Sequence, residues 1–568
     1  MTENKKLLDD CFAHDRKRMR HDEALRILKQ RVGPVANTER VELAEAAGRI
    51  LAATATAPHP IPAHTNAAVD GFSFAAGDYD ANSGTELPVE GRAAAGHQLG
   101  RKSAPGTAAR IFTGAVVPEG HDTIVMQEDV RFGTIEGRAV VAIPAGLKPG
   151  ANVRKAGEDV KAGEVLLQAG TALRPQDLAA LASIGAGDVQ CFARLKVGIV
   201  STGDEVVRAG AKLTTGQVYD ANAGTELPVD GRAAAGHQLA RTPAARTAAR
   251  IFTGAVMPEG HDTIVMQEDV RFGTIEGREV VGIPAGLKAG ANVRKAGEDV
   301  KAGEVLLQAG TVLRPQDLAA LASIGAGDVQ CFARLKVGIV STGDEVVRAG
   351  ASLAAGQVYD ANAPMLHALI ASAGATPVDL GVFPDDLEEV KARLAQAARQ
   401  VDVIISSGGA SRGEEDHVVT ALDALGKRHL WQLAIKPGRP MSFGQIGDCV
   451  MLGLPGNPVA VFVCFLLYVW PLLRRMGGAQ WPEPTRFRLP ALFAFPGRKV
   501  GRREFWRGIL RETPRGLAVD KFARDGSGLI SGLRAADGLI DIPEDVEDIR
   551  PGDSVAFIPF SEFGIVGN

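Results

Sequence analysis

Cysteines, aromatic residues and any surplus of one charge are all scarce in this chain of 568 residues. The five cysteines are Cys11, Cys191, Cys331, Cys449 and Cys464, and none stands in a C-x-x-C pair. That spacing excludes a zinc ribbon, a dithiol redox motif and a disulfide scaffold; they read as buried or incidental thiols of a reducing compartment. Aromatics make up 5% of the residues, so an aromatic binding surface is not expected. A net charge of −4 offers no general basic face to nucleic acid or anionic lipid, so any anion must be captured by a local constellation. The start of the chain is polar and charged, unlike a secretory leader. The most apolar run, Val459 to Leu473, is bracketed by Pro458 and Pro471 and reads as a buried helix too short to span a bilayer. The expectation is a cytoplasmic protein with neither nucleic acid nor membrane as partner.

Glycine is abundant, at 67 residues, and the chain is long enough for three to five structural units. Its most conspicuous feature is a repeat. Tyr79 to Val218 matches Tyr219 to Val358 at an offset of 140, with only about fifteen differences. Tyr-Asp-Ala-Asn recurs at Tyr79, Tyr219 and Tyr359, at both ends and at the junction. Solenoids stack three or more short, diverged units, so two long and almost identical copies read as a recent duplication inside an older protein. An error of assembly would leave the same trace.

With one copy set aside, the order of elements is regular. Helical segments are expected at Asp22 to Arg31 and Arg40 to Ala53, then a β-rich module from Asn66 to Ile143. A Gly-punctuated stretch, Gly150 to Thr171, leads to a helix at Arg174 to Ile184. Strands at Lys336 to Ser341, Val378 to Phe383 and Val401 to Ser407 alternate with helices at Ala363 to Ala373 and Leu387 to Gln400. That alternation predicts a doubly wound, mostly parallel α/β sheet. From about Pro484 onward, short strands and turns predict a small β module.

Three segments carry chemistry. The strand ending at Ser406-Ser407 runs into Gly408-Gly409-Ala410-Ser411-Arg412-Gly413, with a helix expected from about Glu414. A Gly-rich turn from strand to helix presents backbone N–H groups to phosphates or similar anions; a plain tight turn is the alternative. Leu452 to Pro458 is a second such turn, as readily structural as ligand-binding. Between them, Lys436-Pro437-Gly438-Arg439-Pro440 holds two cations on a stiff loop suited to a small oxyanion. Acidic residues near turns (Asp70, Glu205 and its copy Glu345, Asp385-Asp386) suit Mg²⁺ bridging a pyrophosphate, although each could equally be a helix cap or surface charge.

The series NAAVDGF, RIFTGAVVPEGHDTIVMQE, GEDV, IVSTGDEV, SSGGASRGEEDHV, LAIKPGRPMSFG, GLPGNPVA and GRREFWRG resembles the molybdopterin molybdenumtransferases, the MoeA and gephyrin E-domain family. The resemblance covers nearly the whole chain apart from one repeat copy. It implies a homodimer of four-domain subunits, with each active site between the α/β domain of one subunit and the first two domains of the other. It also implies adenylylated molybdopterin and molybdate as substrates, Mg²⁺ as cofactor, AMP release, and a molybdopterin adenylyltransferase as supplier. By matching position, Asp70, Thr113 or its copy Thr253, Asp159 or Asp299, Glu205 or Glu345, Asp385 and Lys436 form the catalytic set. Ser406, Gly408, Gly409, Ser411, Gly413 and Asp416 hold the pterin and its phosphates. Lys436, Pro437, Gly438, Arg439, Pro440, Arg502 and Ser527 or Ser531 receive molybdate, and Glu345, Asp385 and Asp416 bind the metal. Two departures stand out: relatives often carry lysine where this chain has Arg439 and Gln432.

The implied domains are 1–60 with 146–190, a β-rich domain at 61–145, an insert at 191–335, the molybdopterin-binding α/β domain at 336–476, and a C-terminal β-barrel-like domain at 477–568. The rival threading puts Lys196 to Ser201 into the α/β sheet. Lengthening the connection costs only about 1.3 kcal/mol, so topology rather than loop entropy favours the first arrangement. An adenylyltransferase-like enzyme, or a non-catalytic scaffold, is the competing reading of function.

Overall fold

The computed structural model describes residues 25–26, 29–30, 34–135, 138–195, 219–220, 227–234, 242–244, 247–275, 277–283, 287–354, 356–408, 417–438 and 440–565. The chain forms two compact units. One comprises 1–195, 334–477 and 481–568; the other comprises 196–333 and 478–480.

In the first unit, the β-rich module is a six-stranded sheet. Its order is Thr123–Met126, Gly71–Phe74, Ala108–Ile111, Thr85–Ala93, Arg138–Ile143 and Arg131–Ile135. Gly71–Phe74 is buried at all four residues. Gly71 is required there, because an added Cβ would lie 1.9 Å from the Val125 carbonyl oxygen. The strand end that carries Asp70 is thereby pinned against a neighbour.

Beside this module, Thr38–Glu42 pairs antiparallel with Asp188–Phe192, placing Val41 opposite Val189. The helix expected over Arg40 to Ala53 is therefore absent: a strand is followed by a 3-10 turn at Leu43–Glu45. The available partner strand decided the conformation, and Gly48 at φ 71 turns the chain away. Asp22 to Arg31 falls mostly outside the described residues. The helix Pro175–Ser183 starts at a proline, and the Asp177 carboxylate accepts from the Arg174 backbone N–H at 3.0 Å.

The α/β sheet has the order Thr376–Phe383, Lys336–Thr342, Val403–Ser407, Cys449–Leu454, Pro440–Ile446 and Lys427–Gln432. Its first four strands are parallel and its last two antiparallel, so the sheet is mixed. One face packs on Asn362–Ser372 and Pro458–Cys464, the other on Leu387–Ala397 and His417–Leu425. With both faces covered, the central strand reads Val-Ile-Ile-Ser-Ser and is buried throughout.

The apolar run is longer than the sequence suggested. Pro458–Cys464, a π-helical turn Phe465–Val469 and Trp470–Met476 form one helical stretch of 19 residues. The wide turn lets the helix continue through Pro471, so by length and composition it could cross a membrane. It is mostly buried: Phe462 meets Phe560 edge-on at 5.0 Å, and Trp470 meets Phe563 at 5.1 Å.

The C-terminal sheet runs Ile435–Lys436, Arg503–Thr513, Gly538–Ile542, Ser554–Pro559 and Phe487–Pro490, with Gly516–Lys521 paired to Arg503–Thr513. Its first strand comes from the cationic loop, so Lys436 pairs with Glu504 in a parallel two-residue ladder.

The second unit holds the second copy of the repeat. Its five-stranded sheet is Tyr219–Asp220, Ala248–Thr253, Leu227–Ala233, Arg278–Gly282 and Arg271–Ile275. Pro315–Ser323 repeats the helix Pro175–Ser183 residue for residue, yet only Asp317 in it is buried. In the first copy, Val165–Leu167 pairs with Ala55–Thr56 and Asp188–Phe192 with Thr38–Glu42. Both partners precede Tyr79 and so lie outside the repeated segment, and residues 305–307 and 328–332 form no strand.

Candidate active site

Three neighbouring parallel strands end at one level, with Ser341 opposite Ser407 and Ser407 opposite Leu454. The turns that follow begin at Gly343, Gly408 and Pro455. Asn362 ties two of them together: its Nδ2 donates to Ser407 Oγ at 2.6 Å and to the Gly456 carbonyl at 2.7 Å. Gly408 sits at φ 92, and an added Cβ would lie 2.8 Å from Thr342 Oγ1. These turns floor a cavity of about 640 Å³. Strand C-terminal ends are where an α/β sheet places its ligand.

The cavity gathers five residues singled out by sequence. Asp70 and Thr113 line one side, and Glu345 and Asp385 line the other, beside Gly408. Asp70 Oδ1 accepts from the Thr113 backbone N–H and hydroxyl, each at 2.7 Å. Asp344 and Asp385 exchange backbone-to-carboxylate bonds at 3.3 and 3.2 Å, fixing two loops against each other. Asp386 is a helix cap, accepting from Glu389 N–H at 2.8 Å.

Other expected residues lie elsewhere. Ser406 is fully buried and its hydroxyl donates to the Gly408 carbonyl at 3.2 Å, so Ser407 rather than Ser406 lines the cavity. The Gly408 N–H is already given to the Leu454 carbonyl. Asp159 is buried off the cavity, accepting from the Ser531 hydroxyl, from Ser531 N–H at 3.3 Å and from Arg524 at 3.4 Å. Ser531 is thereby spent on Asp159, and the Ser527 carbonyl accepts from Val459 N–H. Thr253 and Asp299 are exposed in the second unit. Glu205, Gly409, Ser411, Gly413, Asp416 and Arg439 lie outside the described residues. Pro440 opens a strand and Gln432 closes one.

Lys436, Pro437, Gly438 and Arg502 are not among the residues that line the cavity with Gly408. The Cys464 Sγ donates weakly to the Gly438 carbonyl at 3.9 Å, and Cys464 ends the helix whose first residue, Pro458, lines the cavity. Six helical residues span about 9 Å, so the two centres are a short helix apart.

Both sides of the cavity come from one chain. His59 to Asp70 and Thr113 face Thr342 to Glu345 and Gly408 within a single compact unit. The Gly96 N–H donates to the Gly356 carbonyl at 3.2 Å, joining the two sides directly.

Sequence reasoning missed several residues. Arg154 lines the cavity because its strand pairs Arg154 with Asn66, and burial lowers its guanidinium pKa despite Glu158 nearby. His59 stacks on Tyr359 at 5.9 Å. Glu504 was also missed, although GRREFWRG was noticed. It is 1% exposed and accepts from Trp506 Nε1 at 2.9 Å; Arg502 Nε lies at 3.2 Å, Lys436 Nζ at 3.4 Å and Arg498 Nη1 at 3.8 Å. Burial alone would raise its carboxyl, but Trp506, Lys436 and Arg502 together hold it below its ordinary value. For metal binding, no three His, Cys, Asp or Glu side chains converge among the described residues. Glu345 and Asp385 still offer two carboxylates to a hard cation that takes its other ligands from water and phosphate.

Three family descriptions match the chain. The MoeA N-terminal region (domain I and II) matches residues 19–185 and again 215–325. The probable molybdopterin binding domain matches 338–475, and the MoeA C-terminal region (domain IV) matches 489–560. The molybdopterin molybdenumtransferase of Haemophilus influenzae is 37% identical over 340 residues, covering 59% of this chain and 82% of that protein. The one from Nostoc is 39% identical over 275 residues, covering 47% and 62%. Gephyrin of Dictyostelium discoideum is 32% identical over 257 residues, covering 40% and 35%. A solved MoeA protein from Pyrococcus horikoshii covers 95% of this chain and 98% of its own at 23% identity, with a TM-score of 0.33.

Proposed function

We infer the reaction from one plain fact: the chain belongs to the molybdopterin molybdenumtransferase family. It is an enzyme of the transferase class in molybdenum cofactor biosynthesis. The finer reading is that it transfers molybdate onto adenylylated molybdopterin and releases AMP. The observation that carries this reading is the cavity in which Asp70 and Thr113 face Glu345, Asp385 and Gly408.

The pterin and its pyrophosphate occupy the cavity. Asp70, held by Thr113, offers a fixed acceptor to the ligand, and Arg154 offers a cation. Glu345 and Asp385, with Asp416, would hold Mg²⁺, which when bound supplies positive charge to the pyrophosphate. Molybdate is received by Lys436 and Arg502, whose charge offsets that of the oxyanion. The adenylylated substrate comes from a molybdopterin adenylyltransferase. The family resemblance implies a homodimer.

The test is direct. Purified protein with adenylylated molybdopterin and Mg²⁺ should release AMP when molybdate is added, and Lys436→Ala should abolish that release without unfolding the chain. AMP release that ignores molybdate would overturn the reading.

A further inference from the structure

We propose that Glu504 is a positioning residue, holding Lys436 and Arg502 as a fixed pair of cations and so setting the affinity for molybdate. This rests on the reading of Lys436 and Arg502 as molybdate contacts.

The backbone begins the argument. Lys436 and Glu504 are register partners in a parallel ladder, so their side chains start from neighbouring points. The carboxylate then divides its oxygens. Oε2 faces Lys436 Nζ at 3.4 Å and takes the Trp506 indole N–H at 2.9 Å. Oε1 faces Arg502 Nε at 3.2 Å and Arg498 Nη1 at 3.8 Å. One carboxylate therefore holds a lysine on one oxygen and an arginine on the other.

Exposure gives the arrangement a direction. The Glu504 and Arg498 side chains are each 2% exposed, whereas those of Lys436 and Arg502 are 45% and 41% exposed. The buried pair forms a base, and the two outer cations reach water from it. Arg498 stays in place without help, donating to the carbonyls of Val546, Arg502 and Pro543. Arg502 meets Glu504 through Nε, which leaves its terminal nitrogens to another acceptor. Three cations and one carboxylate leave a charge of +2, matched to a dianion such as molybdate.

Removing the carboxylate has two opposed effects. It adds net positive charge, but across half-exposed side chains that gain is screened. It also frees two long side chains, each of which must then be ordered when the anion binds. Together that ordering is worth roughly tenfold in affinity, so loss of order wins. Glutamine at 504 presents one acceptor and one donor, and cannot hold both cations.

The experiment uses the full chain and measures molybdate binding by calorimetry, together with KM for molybdate and for adenylylated molybdopterin. Glu504→Gln should weaken molybdate binding and raise its KM about tenfold while leaving the pterin KM nearly unchanged, and should lower the melting temperature because buried Arg498 loses its counter-charge. Glu504→Asp keeps the charge and the partner of Arg498 while drawing the carboxylate back by about 1.5 Å, so it should show a smaller loss in the same direction. It decides the question alone if Glu504→Gln does not fold. Wild-type molybdate affinity in a folded variant, or equal changes in both KM values, would overturn the proposal. Unchanged affinity in Lys436→Ala would instead overturn the placement of molybdate on which it rests.

Discussion

Leu178 and Leu318 hold the same place in two copies of one nine-residue helix, yet Leu178 is 0% exposed and Leu318 is 52% exposed. Local sequence cannot explain the difference, because Pro-Gln-Asp-Leu-Ala-Ala-Leu-Ala-Ser is identical in both. The partners do. In the first copy the helix packs with Leu43, Leu51, Leu366 and Leu533 in one core. The matched pair makes a clean prediction for chemical denaturation of the full chain. Leu178→Ala should destabilise the first unit by about 2–5 kcal/mol, and Leu318→Ala should change stability by about 0.5 kcal/mol or less. Equal effects would show that both helices are equally covered.

Gly408 makes a second prediction. Its φ of 92 and the 2.8 Å approach to Thr342 Oγ1 mean that Gly408→Ala meets both backbone strain and a clash. The variant should lose most AMP release and about 1–3 kcal/mol of stability. Adding Thr342→Ala removes the clash but not the strain, so it should restore part of the stability. Full activity in the single variant would mean that this turn does not shape the cavity.

Much of this was legible in the sequence and some was not, for physical reasons. Strand–helix alternation placed the Lys336–Thr342 and Val403–Ser407 strands, because burial on both faces demands continuous apolar runs there. Arg40 to Ala53 carries a helix-like pattern but begins as strand and continues into a 3-10 turn, since the partner Asp188–Phe192 lies about 150 residues away and no local pattern reports it. Asp70 and Thr113 stood out as motif residues. Ser406 comes from matching position in the family motif, whereas alternation along the strand turns Ser407 to the cavity, a choice of face that sequence alone does not make. Glu504 was overlooked because its importance comes from register with Lys436, nearly 70 residues earlier.

The cysteines make a third prediction, governed by pH. Burial pushes the Cys464 thiol up to about 12, and burial beside Asp402 pushes Cys449 up to about 11. A raised thiol pKa keeps the neutral form throughout the physiological range, leaving roughly one thiolate in a thousand or fewer at pH 8 for either residue. Of the four described cysteines, exposed Cys331 should therefore react first with iodoacetamide in the native protein. Cys449 and Cys464 should react only after unfolding, as read by peptide mass spectrometry. Labelling of Cys464 in native protein at pH 8 would contradict the burial of the helix Pro458–Cys464.

One measurement bears most directly on the proposed arrangement, in which a single chain furnishes both sides of the working cavity. Asp70→Ala and Glu345→Ala disable opposite sides, and each variant should be inactive alone. The two are unfolded together, refolded as an equal mixture and assayed for molybdate-dependent AMP release. If each chain closes its own cavity, every molecule in the mixture carries one damaged side and activity stays at background. Recovery to about a quarter of the wild-type rate, the share of intact sites expected when two chains exchange sides at random, would contradict the account.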